Sequence, residues 1–303
     1  MFSNLTSFQK EVIGKCAQRI VSLREEGEDY GRSIMFLDDI PTTVCNEINR
    51  LETLRSVGSK KNHVILLNQS SRSLKNVEIG ELPSDVTQIR HDFTSLQSLK
   101  VDGHDITYNI DGIISIVKTR PSVLTSLSIV QVSSMKAFVQ LDHELKCLQK
   151  LHISWDFDID DGDMQGAINL INKSPNLMDL HLEEIRDNID ELSVCPQIMN
   201  ITSLTMQPGW NFEIDLDPDF FSHSQFLNCC TGLTNLRLIV SYSGSWRLVK
   251  REEWYLPSVK KAQIEHTCKY MTLNHVKHHF SKEAEIDLIC VNEGYGYSDS
   301  DND

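Results

Sequence analysis

Ser128, His152 and Asp179 supply the types of a nucleophile, a base and an orienting acid. Hydrolysis by such a trio also needs an oxyanion hole and a cleft that excludes water. His266, Cys268, His275, His278 and His279 have the donor types of a zinc site. Zinc requires four converging ligands, and the run from Asn274 to Phe280 lacks a standard ligand spacing. The acidic run Asp156, Asp158, Asp160, Asp161, Gly162 alternates as calcium loops do. An EF-hand register starting at Asp156 needs Gly at its sixth position and Glu at its twelfth, and those positions hold Asp161 and Ala167. No G-x-x-x-x-G-K-[ST] phosphate loop occurs. These residues therefore predict no catalytic group, no metal ligand and no cofactor.

The elements that would carry these side chains come from a repeat. Apolar residues at offsets 0, 3 and 5 recur as Leu74-Val77-Ile79, Leu96-Leu99-Val101, Leu124-Leu127-Ile129, Leu148-Leu151-Ile153, Leu177-Leu180-Leu182, Ile201-Leu204-Met206, Leu233-Leu236-Leu238 and Val259-Ala262-Ile264. First positions lie from 22 residues (Leu74 to Leu96) to 32 residues (Ile201 to Leu233) apart. Offsets 3 and 5 alternate with polar neighbours, so each match predicts a short strand with one buried side. A single repeat buries that side only by stacking on the next, which predicts a solenoid. Helical spacing fills the intervals at 111–118, 163–172 and 220–229. The fold class expected is α/β: parallel strands on the concave side, helices on the convex side.

Offset 4 then forms one polar row on the concave face: Lys100, Ser128, His152, His181, Thr205, Arg237 and Gln263. Offset 2 forms a second polar row through Ser98, Ser126, Lys150, Asp179, Ser203, Asn235 and Lys261. With strands about 4.8 Å apart, His152 and His181 are expected as neighbours. A flat face of this kind offers no oxyanion hole, and its expected use is partner binding by Lys100, Ser128, His152, His181, Thr205 and Arg237.

The segments FTSLQSLKVDG, SPNLMDLHLEE and CTGLTNLRLIV resemble leucine-rich repeats of the irregular, helix-containing, ribonuclease-inhibitor-like kind. The resemblance spans roughly 62–290 and implies a horseshoe. It departs from the regular form where Asn or Cys is usual, three residues after the last apolar position. His104, Val132, Asp156, Ile185, Gly209, Ser241 and Thr267 stand there, so the Asn ladder is missing.

Residues 1–60 lie outside the template and predict a helical segment capping the solenoid end. Phe8, Val12, Ile13, Cys16, Ile20 and Leu23 share one helix face, and Val44, Ile48, Leu51 and Leu54 share another within 42–57. The stretch RIVSLREEGEDYGRSIMFLDDIPTTVCNEI looks like the helical region that joins the ATPase to the repeats in NACHT-type innate immune receptors. That resemblance implies a recognition module, possessing the sensor part without the ATPase. Ile40-Pro41 before the Val44/Ile48/Leu51 helix echoes an F-box, and implies the alternative of a substrate-recognition subunit of a ubiquitin ligase.

The chain has 303 residues, 40% of them hydrophobic, and a net charge of −14. Residues 151–220 hold 15 Asp/Glu against 2 Lys/Arg, a net −13, so one stretch carries nearly all of the excess. That sign opposes nucleic-acid binding. Loops after strands in that stretch combine Asp158, Asp160, Asp163, Glu183, Asp190, Asp215 and Asp217 with Trp155 and Trp210, predicting an acidic, aromatic rim that recognises a protein with a basic surface. No apolar run reaches membrane-spanning length, no secretory leader is evident, and eight scattered cysteines without a CxxC pair read as reduced thiols. The expectation is a cytoplasmic, non-catalytic interaction protein: 1–60 helical, 61–290 repeats, 291–303 an acidic disordered tail.

Overall fold

Alternation of leucine with polar residues sends every second side chain to one side of an extended strand. In the computed structural model, strands follow at the expected places. It describes residues 11, 13, 15–24, 27–28, 32–33, 40–56, 61–80, 92–102, 113–114, 116–117, 123–132, 134–155, 161–185, 189–208, 224–240, 255–266 and 272–291. Among them the strands are β1 (Ser22–Arg24), β2 (Gly27–Glu28), β3 (Arg32–Ser33), β4 (Thr53–Ser56), β5 (Asn76–Ile79), β6 (Ser98–Asp102), β7 (Ser126–Val132), β8 (Lys150–Trp155), β9 (Asp179–Ile185), β10 (Ser203–Pro208), β11 (Asn235–Val240), β12 (Lys261–His266) and β13 (Glu285–Cys290). β2 and β3 pair as a small antiparallel hairpin. The other eleven form one sheet in the order β1-β4-β5-β6-β7-β8-β9-β10-β11-β12-β13, every pair parallel. Each strand lies beside the next strand of the chain in that sheet, a solenoid-like α/β arrangement.

The register stacks equivalent residues. Leu99, Leu127, Leu151, Leu180, Leu204 and Leu236 pair in one continuous row, and Val101, Ile129, Ile153, Leu182, Met206, Leu238 and Ile264 in the next. All are buried, as are the offset-0 residues Leu51, Leu74, Leu96, Leu124, Leu148, Leu177, Ile201, Leu233 and Val259. A fully buried leucine contributes about 1.5–3 kcal/mol, so these rows are the main source of stability. Behind them the helix Asp161–Asn172 buries Met164, Ala167, Ile168, Leu170 and Ile171. Gly166 lies where this helix meets the turn Lys136–Gln140, and a Cβ there would collide with the Met135 carbonyl.

Side chains supply the bonds between repeats that an Asn ladder would otherwise make. At offset 1, Thr125 Oγ1 donates to Gln97 O at 3.1 Å, Thr202 Oγ1 to Met178 O at 3.3 Å and Thr234 Oγ1 to Thr202 O at 3.0 Å. One residue before offset 0, Ser73 Oγ donates to Leu51 O, Ser95 Oγ to Arg72 O and Asn176 Nδ2 to Lys146 O, all within 2.8 Å. Each reaches back to the preceding repeat.

Two expectations for residues 1–60 change. The helix expected over 42–57 is Thr42–Cys45, and Leu54 lies in β4, in register with Leu23 of β1 and Val77 of β5. The first expected helix gives way by Ala17, and Leu23 is a strand residue. The described part of this segment thus extends the sheet. Its repeats escape the template because Glu25 and Ser56 occupy the third apolar position. β13 escapes it because Glu283 occupies the first.

Candidate functional site

Outward-facing positions alternate with the buried rows, so the sheet presents a polar surface. The register Lys100–Ser128–His152–His181–Thr205–Arg237–Gln263 runs unbroken across β6 to β12, as the repeat predicts. It extends further, through Arg55 and Glu78 at one end and Asp287 at the other. Side chains of this row pair by charge with residues on adjoining strands. Glu78 lies between Arg55 and Lys100, 3.1 Å from each, and Arg237 pairs with Glu265.

The centre of the row differs. His152 and His181 stack with ring centroids 4.0 Å apart and planes 8° apart, because β8 and β9 place them side by side in register. Glu183 lies two residues beyond His181 and therefore on the same side of β9. Its carboxylate bridges the pair, with Oε2 3.3 Å from His152 Nε2 and Oε1 3.0 Å from His181 Nε2. On the far side of His152, Nδ1 is 3.0 Å from Ser128 Oγ. All three side chains of the cluster are half-buried. Burial works against a charged Glu183, but the two imidazole groups facing it outweigh that and hold its carboxyl well below the usual carboxylate range. Both Nε2 atoms are shielded from solvent, yet neither is aligned for a hydrogen bond.

Glu183 is the functional candidate that sequence reasoning placed wrongly, in an acidic loop. β9 runs past the last template position to Ile185, which keeps Glu183 on the sheet. Period-2 alternation from His181 was the available signal. β9 also carries a bulge opposite Gln207 and Pro208, with Glu184 at φ 56°, and Gln131 at φ 54° marks the equivalent irregularity in β7.

The three triad residue types, Ser128, His152 and Asp179, do not come together as a triad. Asp179 pairs with Lys150 in the other polar row, and the acid that faces His152 is Glu183. Ser128, His152 and Glu183 do form a chain of contacts. The backbone N–H groups of β6 to β9 lie in the plane of the sheet and are used in its ladders, so they do not point at an oxyanion above Ser128.

Trp155 is a correction. It lies in β8 rather than in a loop and is 3% exposed, packed in the core, so it cannot serve as a surface anchor. Asp163, expected in the acidic rim, is buried and accepts hydrogen bonds from Ser134 Oγ at 2.8 Å and the Met135 N–H at 2.6 Å. Asp190 likewise accepts from the Phe226 N–H. These two acids fasten one repeat to another. Asp158, Asp160, Trp210, Asp215 and Asp217 lie outside the described residues. Of the zinc-type residues, His266 and His279 are buried and His278 is exposed. Among the described residues, the group whose metal-ligand atoms converge is His152, His181 and Glu183, all within 4.8 Å of one another. No helix of the described residues is long and apolar enough to cross a membrane.

Compared with known proteins, the chain matches no family model and no curated protein.

Proposed function

We propose that the chain is a non-catalytic protein-binding module of leucine-rich repeats, a horseshoe whose polar sheet face recognises a protein partner, in the manner of the sensor part of NACHT-type innate immune receptors. The observation that carries this reading is the unbroken polar row from Lys100 to Gln263, held in register by a rigid parallel sheet. A row of side chains at strand spacing gives one extended, preorganised surface, which suits a macromolecule better than a small substrate. The ubiquitin-ligase alternative has less support. Ile40, Ile48 and Leu51, which suggested an adaptor-binding helix, are buried in the chain's own core.

A photo-crosslinking residue at Thr205, on the row, tests the reading against the same residue at exposed Val194, at the end of the turn Ile189–Val194. The expected result is one discrete protein adduct at Thr205 that unlabelled chain competes away, and none at Val194. Equal background labelling at both would overturn it. Esterase, amidase and phosphatase substrates should show no turnover that Ser128→Ala abolishes, and Ser128-dependent turnover would overturn the non-catalytic part.

A further inference from the structure

We propose that His152, His181 and Glu183 bind a divalent transition-metal ion of the zinc class on the polar face of the sheet. The inference stands independently of the protein-binding reading. Two imidazole nitrogens and one carboxylate oxygen form a donor set suited to zinc, whereas calcium and magnesium take oxygen donors throughout.

The spacing agrees. Zinc ligands at about 2.05 Å in a tetrahedron stand about 3.3 Å from one another. The Nε2-to-carboxylate distances here are 3.3 and 3.0 Å. The two Nε2 atoms are also the atoms that the fold buries without an aligned hydrogen bond, on adjacent side chains that face the same carboxylate. Two shielded ring nitrogens facing one carboxylate are a donor set that a cation would draw together.

The surroundings admit the metal-binding form of His152. A proton on Nδ1 donated to Ser128 Oγ, 3.0 Å away, leaves Nε2 with a lone pair directed at the site. All three ligands come from paired strands rather than from loops, so their backbone spacing is fixed by the ladder of β8 and β9. The imidazole planes are 8° apart, which sets the lone pairs side by side. Binding requires the rings to splay about their Cβ–Cγ bonds until the lone pairs converge. The half-exposed face leaves the remaining coordination position to water.

The test uses the full chain, stripped with a chelator and titrated with Zn²⁺ alone. One tightly held zinc per chain is expected, with affinity falling at least about tenfold in His181→Gln and in Glu183→Gln and unchanged in His278→Gln. Co²⁺ in place of Zn²⁺ should give visible ligand-field absorption in the wild type that both site variants lose. A third measurement needs no variant. Zinc should shift the imidazole ¹⁵N resonances of His152 and His181 among the eleven histidines. Failure of the wild type to retain zinc, equal retention by wild type and folded site variants, or shifts confined to other histidines would each overturn the proposal.

Discussion

Single side chains in this chain take their roles from which side of a strand or helix they occupy. Cys45, Cys195 and Cys230 are buried, and burial pushes their thiols up to about 11, 12 and 12, with Cys229 adding to the effect at Cys230. A thiol raised in the fold keeps its stabilising contribution below the unfolded value of 9.0 and loses it as pH rises from there toward the folded value. Urea midpoints should therefore decline above about pH 9, and a variant with these three cysteines replaced by alanine or valine should decline less steeply, even if it starts lower. An equally steep decline in that variant would assign the loss to other groups. At pH 8, a thiol reagent followed by peptide mapping should label exposed Cys16 and Cys290 before the three buried cysteines. Gly166 makes the opposite point about space. A helical glycine replaced by alanine normally gains about 1 kcal/mol. Here the added Cβ meets the Met135 carbonyl, a backbone group that cannot rotate aside. Gly166→Ala should destabilise by about 1–3 kcal/mol in a denaturant melt, reversing the usual sign.

Strands and turns show how far periodicity reaches. The offset pattern located β5 to β12 and the register of their outward row, because polar and buried apolar residues alternate there over offsets 2 to 5. It missed β1, β4 and β13, where Glu25, Ser56 and Glu283 occupy apolar positions, since edge and near-edge repeats tolerate a polar residue that central ones do not. The helix expected over 42–57 stops at Cys45, since Leu51 and Leu54 suit either period and pairing with β1 and β5 decided for a strand at Leu54. The Thr125, Thr202 and Thr234 bonds were illegible because a threonine at a strand entrance has no pattern until the preceding repeat's carbonyl is in place. The cluster was half legible: His152 beside His181 followed from the repeat, but Glu183 required knowing that β9 continues. Leu180, fully buried in the central row, should cost about 2–5 kcal/mol as Leu180→Ala, whereas Ser126→Ala on the outward face should change stability little. Equal melts for the two would contradict the register. Gln131 adopts a left-handed conformation that glycine holds without strain, so Gln131→Gly should raise stability by up to about 1 kcal/mol.

Charge is distributed over the chain in a way that no single element explains. Residues 151–220 carry 15 Asp/Glu against 2 Lys/Arg, while 1–90 carry 12 of each and 91–150 carry 6 of each. Solubility would be served as well by an even spread, and crowding like charges costs self-repulsion. Two of these acids are accounted for inside the fold, since Asp163 and Asp190 accept backbone hydrogen bonds from neighbouring repeats. Glu183 is accounted for by the two imidazoles it faces. Asp158, Asp160, Asp215 and Asp217 lie outside the described residues, and they are the residues on which the expected recognition of a basic protein surface rests. With Trp155 buried, that recognition loses one apolar anchor and depends more heavily on charge. Charge acting alone raises the association rate more than it slows dissociation, and exposed attraction is screened over about 8 Å at physiological salt. Replacing Asp158, Asp160, Asp215 and Asp217 together by Asn should therefore lower the association rate with the captured partner and flatten its dependence on ionic strength. The dissociation rate should change little. Stopped-flow or surface-based kinetics at several salt concentrations would measure both. An unchanged rate and an unchanged salt slope would mean that these four acids serve only solvation, and that recognition belongs to the polar row alone.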